Sequence, residues 1–286
     1  MASLVVTRNE FDHQVNQSGL APGLFKYRFL VEGDSWMDRS SLFSTSLIQC
    51  LAIEFDKQKL GDALFINVSR FGDTIKNMGR CASGEFGLWI ATQFAWKFDA
   101  ILLSGGGNDF IDAAREPAPD HGILVDFSQS AAPNSSDQCI RKDAVAALIT
   151  GEVDPGFGRL YDVVQGSQYA NIPIFLNNYD VPTPRFAPAA VGGKAWLSEA
   201  YSKNAIPPAL WQDVTDQIFI DMQMTIASWA WGRPNVHIVP TDGTLTKAAP
   251  GTTGDSNDWL NEIHPNQQGW RKLAKVWTPA IKAVCP

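Results

Sequence analysis

Five short apolar runs, each closed by a small or polar residue and followed by a stretch with helical periodicity, constrain this chain more than any other feature. They occupy residues 26–33, 63–68, 100–104, 172–177 and 236–239. Four to eight apolar residues without polar alternation mark strands buried on both faces, the signature of a parallel sheet covered by helices. Between the runs, spacings of three to five residues predict helices at 38–56 (Leu42, Leu47, Leu51 and Phe55 on one face), 85–98, 141–149, 158–169, 208–231 and 265–284, with Pro265 in the last helix's first turn. Alternating strands and helices joined by right-handed crossovers give a three-layer α/β/α fold with a central parallel sheet of about five strands. A hydrophobic share of 45% over 286 residues suffices for one large core. We read one domain over 1–286, with 1–24 as an N-terminal extension.

Three irregular stretches rich in Pro, Gly and polar residues, 112–138, 179–207 and 240–262, each come after a predicted strand. Ligands of such sheets bind outside the carboxyl ends of the strands, so these stretches are expected to form a rim around one pocket.

Composition narrows the partners. The net charge of −7 comes without a basic cluster, which excludes nucleic acid and anionic membrane surfaces as expected partners. No apolar run has the length of a membrane span, and the first residues lack a leader pattern; a soluble cytoplasmic protein is expected, or a secreted one had a leader been removed. Cys50, Cys81, Cys139 and Cys285 form no CxxC pair, so a zinc site is not expected, and their disulfide state and the oligomeric state stay open.

Three short motifs fall at element boundaries where a reaction centre would be built. Gly33-Asp34-Ser35 ends the first run, Gly106-Gly107-Asn108-Asp109 ends the third, and His264-Pro265 opens the last helix. A serine hydroxyl becomes a nucleophile when a base removes its proton and donors stabilise the resulting oxyanion. Ser35, His264 and the Asn108 amide supply those three parts. Asp34 and Ser35 also suit a helix cap, and the tripeptide recurs at Gly254-Asp255-Ser256, so position carries more weight than the letters.

Taken with Gly72 in Arg70-Phe71-Gly72-Asp73-Thr74, these motifs give four ordered blocks by which the chain resembles the SGNH/GDSL hydrolase superfamily of esterases and lipases. The resemblance implies a flavodoxin-like fold and no metal or organic cofactor. It further implies Ser35 as nucleophile, His264 as general base, and an oxyanion hole of the Ser35 and Gly72 N–H groups with the Asn108 side chain. One block departs from the family's Asp-x-x-His: Asn261 stands three residues before His264. Asn261 or a backbone carbonyl is the expected partner of the imidazole, with Asp258 and Glu262 as rivals. Trp36 and Trp196 are candidate substrate contacts. The activity implied is two-step cleavage of a small-molecule or glycan carboxylic ester; alternatives are a carbohydrate O-deacetylase, an acyltransferase, or a noncatalytic carbohydrate- or protein-binding module on the same fold.

Overall fold

The computed structural model describes residues 2–38, 45–118, 120–190 and 192–285. In chain order the elements are β1 (Leu4–Val6), α1 (Arg8–Ser18), β2 (Tyr27–Glu32), α2 (Leu47–Lys57), β3 (Ala63–Asn67), α3 (Ile75–Arg80), α4 (Glu85–Ala91), β4 (Ala100–Leu103), α5 (Gly107–Arg115), α6 (Lys142–Leu148), α7 (Asp154–Gln165), β5 (Ile174–Asn177), α8 (Leu197–Lys203), α9 (Trp211–Ala230), β6 (Val236–Val239) and α10 (Gln267–Val284). All strand pairings are parallel, in the order β1-β3-β2-β4-β5-β6. Without β1 this is the flavodoxin-like order, with the switch point between β2 and β4. Helices α2 and α10 pack together over one face, and α3, α7 and α9 cover the other.

The five expected strands are all present; every residue of β3, β4 and β5 is buried, as apolar runs on both faces require, while the edge strand β6 is only half-buried. Phe29, Phe55 and Phe65 meet at ring separations of 5.1–5.9 Å between sheet and α2. Trp270 and Trp277 of α10 are also fully buried on that side.

Several expectations are corrected. Within the N-terminal stretch, β1 adds a sixth strand at the edge, and α1, with a Thr7/Glu10 capping box, packs Phe11 on Trp89. Helix α2 starts at Leu47, not 38; Leu42 lies outside the described residues. Residues 142–165 form one continuous helical path in which a π segment, Ile149–Val153, joins α6 to α7. Its wide turn admits Pro155, which has no N–H to donate, near the start of α7. Helix α4 ends at Ala91, short of 98, and α10 begins after Asn266, whose side chain caps it by accepting from Gly269 N–H. Pro265 therefore precedes the helix and bridges to Trp259 instead. The rim stretches contain α8 and the end of α5.

All four cysteines are free thiols. Among the described residues no helix is long and apolar enough to cross a membrane, and no cluster of metal-ligating side chains occurs.

Candidate active site

The sheet brings the ends of β2, β3 and β4 together. Ser35 follows β2 in a tight turn closed by Met37 and Asp38 N–H groups donating to the Asp34 carbonyl, at 3.1 and 3.0 Å. This single turn, rather than the start of a long helix, presents the serine. Gly33 is required before it: its φ is +153°, and a Cβ there would lie 2.8 Å from the Ser104 carbonyl oxygen on β4's end.

Asp34 holds the turn from beneath. Its carboxylate accepts from the Ser104 hydroxyl at 2.7 Å, from Trp36 N–H at 3.0 Å and from the Tyr179 hydroxyl. Full burial raises the Asp34 pKa, opposed by those same hydrogen bonds, and burial together with the facing Asp34 charge pushes the Tyr179 phenol well above its ordinary value. Tyr179 thus remains a proton donor.

Opposite Ser35 lies the loop 255–266, folded back on itself by bridges from Trp259 to Ser256 and Pro265. His264 Nε2 stands 2.9 Å from Ser35 Oγ, and His264 Nδ1 stands 3.0 Å from Asn261 Oδ1. The tautomer follows from the neighbours. Asn261 Oδ1 also receives the N–H groups of Ile263 and His264, at 3.1 and 2.9 Å, so the atom there must be oxygen. Nδ1 therefore carries the hydrogen, and Nε2 faces the serine with its lone pair. His264 is 1% exposed, and burial lowers its pKa to about 3, leaving the imidazole neutral.

The two expected rivals of Asn261 are engaged elsewhere. Asp258 accepts from Lys272 Nζ at 2.5 Å and Thr246 N–H at 2.6 Å. Glu262, fully buried, takes four backbone N–H groups: Arg185 and Ser198 on one oxygen, Trp196 and Leu197 on the other, at 2.5–2.9 Å. It anchors the first turn of α8 to the His264 loop.

Asn108 and Asp109 lie in the first turn of α5 and stitch it to the loop after β3. The Asn108 amide donates to the Asp73 carbonyl at 2.8 Å, spending one of its two N–H bonds. Asp109 accepts from Ile75 and Lys76 N–H, at 2.7 and 3.1 Å, and burial raises its pKa to about 7. Gly72, with φ +74°, sits in that loop, which runs beside the Ser35 turn through Arg70 N–H to the Gly33 carbonyl at 2.9 Å.

Of the candidate aromatic contacts, Trp196 is half-buried with its ring 5.5 Å from His264. Trp36 borders the cavity at Ser35, is otherwise buried against Tyr179, Trp259 and Trp270, and donates from Nε1 to the Ile263 carbonyl at 3.3 Å. It joins the serine turn to the histidine loop. A cavity of about 10 Å³, room for about one water, lies among Ser35, Asn108, Ile111 and Phe219. The second Gly-Asp-Ser is a loop feature, its Ser256 hydroxyl accepting from Ala249 N–H.

No known family profile matches the sequence, and no curated protein matches it. Solved structures do. A lipase from a goat rumen metagenome superposes with a TM-score of 0.55 at 13% identity, over 89% of this chain and 97% of its own. A protein titled a possible lipase, from Chitinophaga pinensis, gives 0.50 at 12% identity, over 90% and 98%. A GDSL-like lipase from Bacteroides thetaiotaomicron gives 0.46 at 12%, over 96% and 98%. The chain shares its fold with the first two of these proteins.

Four residues around Ser35 and His264 carry no sequence motif. Ser104 and Tyr179 are seated 70 and 145 positions from Asp34. Phe71 stacks on His264 at 5.8 Å with planes 21° apart. Arg185, 1% exposed, donates to the carbonyls of Thr252, Gly254 and Asn261 and so binds the histidine loop from behind. Only Phe71 had a local signal, as the neighbour of Gly72.

Proposed function

We propose that the chain is a serine hydrolase of carboxylic esters. The observation that carries this reading is the line Asn261–His264–Ser35, with contacts of 3.0 and 2.9 Å and a tautomer fixed by two backbone N–H groups. Ser35 Oγ attacks the ester carbonyl while its proton passes to His264 Nε2. The C–O π pair moves onto oxygen, where Ser35 N–H, Gly72 N–H and the remaining Asn108 N–H stabilise it. The tetrahedral intermediate collapses as the imidazolium protonates the departing alkoxide, leaving an acyl-serine. Water, deprotonated by the same Nε2, then attacks the acyl carbon and releases the acid.

Asn261 orients the ring without charge. The imidazolium formed in each step is stabilised only by dipoles, which suits a base that burial already holds neutral. The test is hydrolysis of p-nitrophenyl esters from acetate to palmitate by wild type and Ser35→Ala. Loss of about a thousandfold in kcat or more is expected. Ser35→Ala protein with near wild-type turnover would remove the serine from the mechanism.

A further inference from the structure

Beyond Trp196 lies a second cavity, of about 330 Å³, between the end of α5 and α8, bordered by Arg115, Lys194, Trp196, Glu199, Ala200 and Lys203. Resting on the ester hydrolase reading, we propose that this cavity is a subsite for an anionic group carried by the ester, a carboxylate or a phosphate.

Three observations support it. The wall has three cations to one carboxylate, in a chain whose net charge is −7. Glu199 accepts from Ala195 N–H at 3.1 Å and Arg115 faces Asp112 at 3.4 Å, while Lys194 and Lys203 have no ion pair within 4.0 Å among the described residues; the charge of Lys203 acts weakly on Asp126. Next, the cavity shares Trp196 with the His264 surroundings, one ring away from the imidazole. Last, α5 links the two places. Asn108, Ile111 and Arg115 are spaced three and four residues apart, so they share one face of that helix; Ile111 borders the Ser35 cavity and Arg115 the basic one. Seven residues of helix span about 10 Å, which is the distance expected between the oxyanion hole and the anion.

That spacing sets the probe: p-nitrophenyl octanoate compared with esters of the same chain ending in carboxylate or phosphate. The anionic esters should show kcat/KM about five- to tenfold above the neutral one at low ionic strength, mostly through KM, and the advantage should shrink in about 0.5 M salt. The Lys194→Gln/Lys203→Gln double variant should bring the ratio of anionic to neutral kcat/KM close to one. Acetates of octanol and of 8-hydroxyoctanoate repeat the comparison with the charge on the alcohol side. Preference for the carboxylate or phosphate chain identifies which anion the site takes. A ratio near one in wild type for both pairs, with good turnover, overturns the subsite and leaves the hydrolase standing. If no ester is turned over, calorimetry with the methyl monoamide of octanedioic acid decides: binding to wild type that the double variant loses supports the subsite, and no binding overturns it.

Discussion

Asn261 does by geometry what a carboxylate would do by geometry and charge. Its oxygen collects three donors around 3 Å, and its Nδ2 is buried without a hydrogen-bond partner among the described residues. An oxygen in place of Nδ2 would remove an unsatisfied donor and set a negative charge against the imidazole. Asn261→Asp is therefore expected to raise the His264 pKa from about 3 toward its ordinary 6.5 and to raise kcat by about tenfold above pH 7, because the imidazolium of each step gains a counter-charge. In wild type the acid limb of kcat/KM should lie near pH 3–4, since the base loses its proton-accepting form only there. A wild-type limb near pH 6.5, or a variant whose limb does not move, would show that burial does not set this base.

Glu262 is the clearest case of one side chain holding an element. Helix α8 has seven residues and no side-chain cap of its own, and its first N–H groups end on a carboxylate belonging to the histidine loop. Glu262→Gln turns one acceptor oxygen into a donor facing two N–H groups. The expected cost is about 2–4 kcal/mol of stability, with faster amide exchange over α8 and unchanged exchange in β3 and β4. Equal acceleration in the strands would mean that Glu262 serves the core as a whole. Such arrangements also mark where the sequence stops being readable. The inner strands are legible because burial on both faces leaves apolar runs; Ser35 and Asn108 are legible because their motifs abut such runs, and His264 because it precedes the periodicity of the last helix. Helix α8 and the three-residue β1 owe their form to distant partners, Glu262 and β3, and leave no periodicity. The same holds for Arg185, Tyr179 and Ser104, whose partners lie 67 to 145 positions away. Asp258 and Glu262 were rivals to Asn261 by proximity in sequence; only the loop's fold shows which group points at the imidazole.

The whole molecule carries opposed titrations in its buried groups. His264 binds a proton at its ordinary 6.5 when unfolded and at about 3 when folded, so its contribution to stability is present above 6.5 and is lost as pH falls toward 3. Glu32 is the reverse. Burial at the end of β2 raises its pKa from 4.5 to about 8, opposed by the Gly33 N–H it accepts at 2.9 Å and reinforced by the charge of Asp73. The unfolded chain ionises this group above 4.5 while the fold keeps it neutral, so stability is lost as pH rises from 4.5 through 8. Asp109 acts in the same direction up to about 7. Maximum stability is expected between about pH 4.5 and 6.5, where neither penalty is complete. Glu32→Gln keeps the shape and the acceptor for Gly33 while removing the ionisation. Its Tm should stay within about 1–2 °C of wild type at pH 5 and exceed it by roughly 4–6 °C at pH 9, a gain of about 2 kcal/mol or more. Thermal unfolding followed at both pH values gives the answer. The same Tm difference at pH 5 and pH 9 would mean that Glu32 keeps one protonation state across the range, and that the alkaline loss of stability arises from another group.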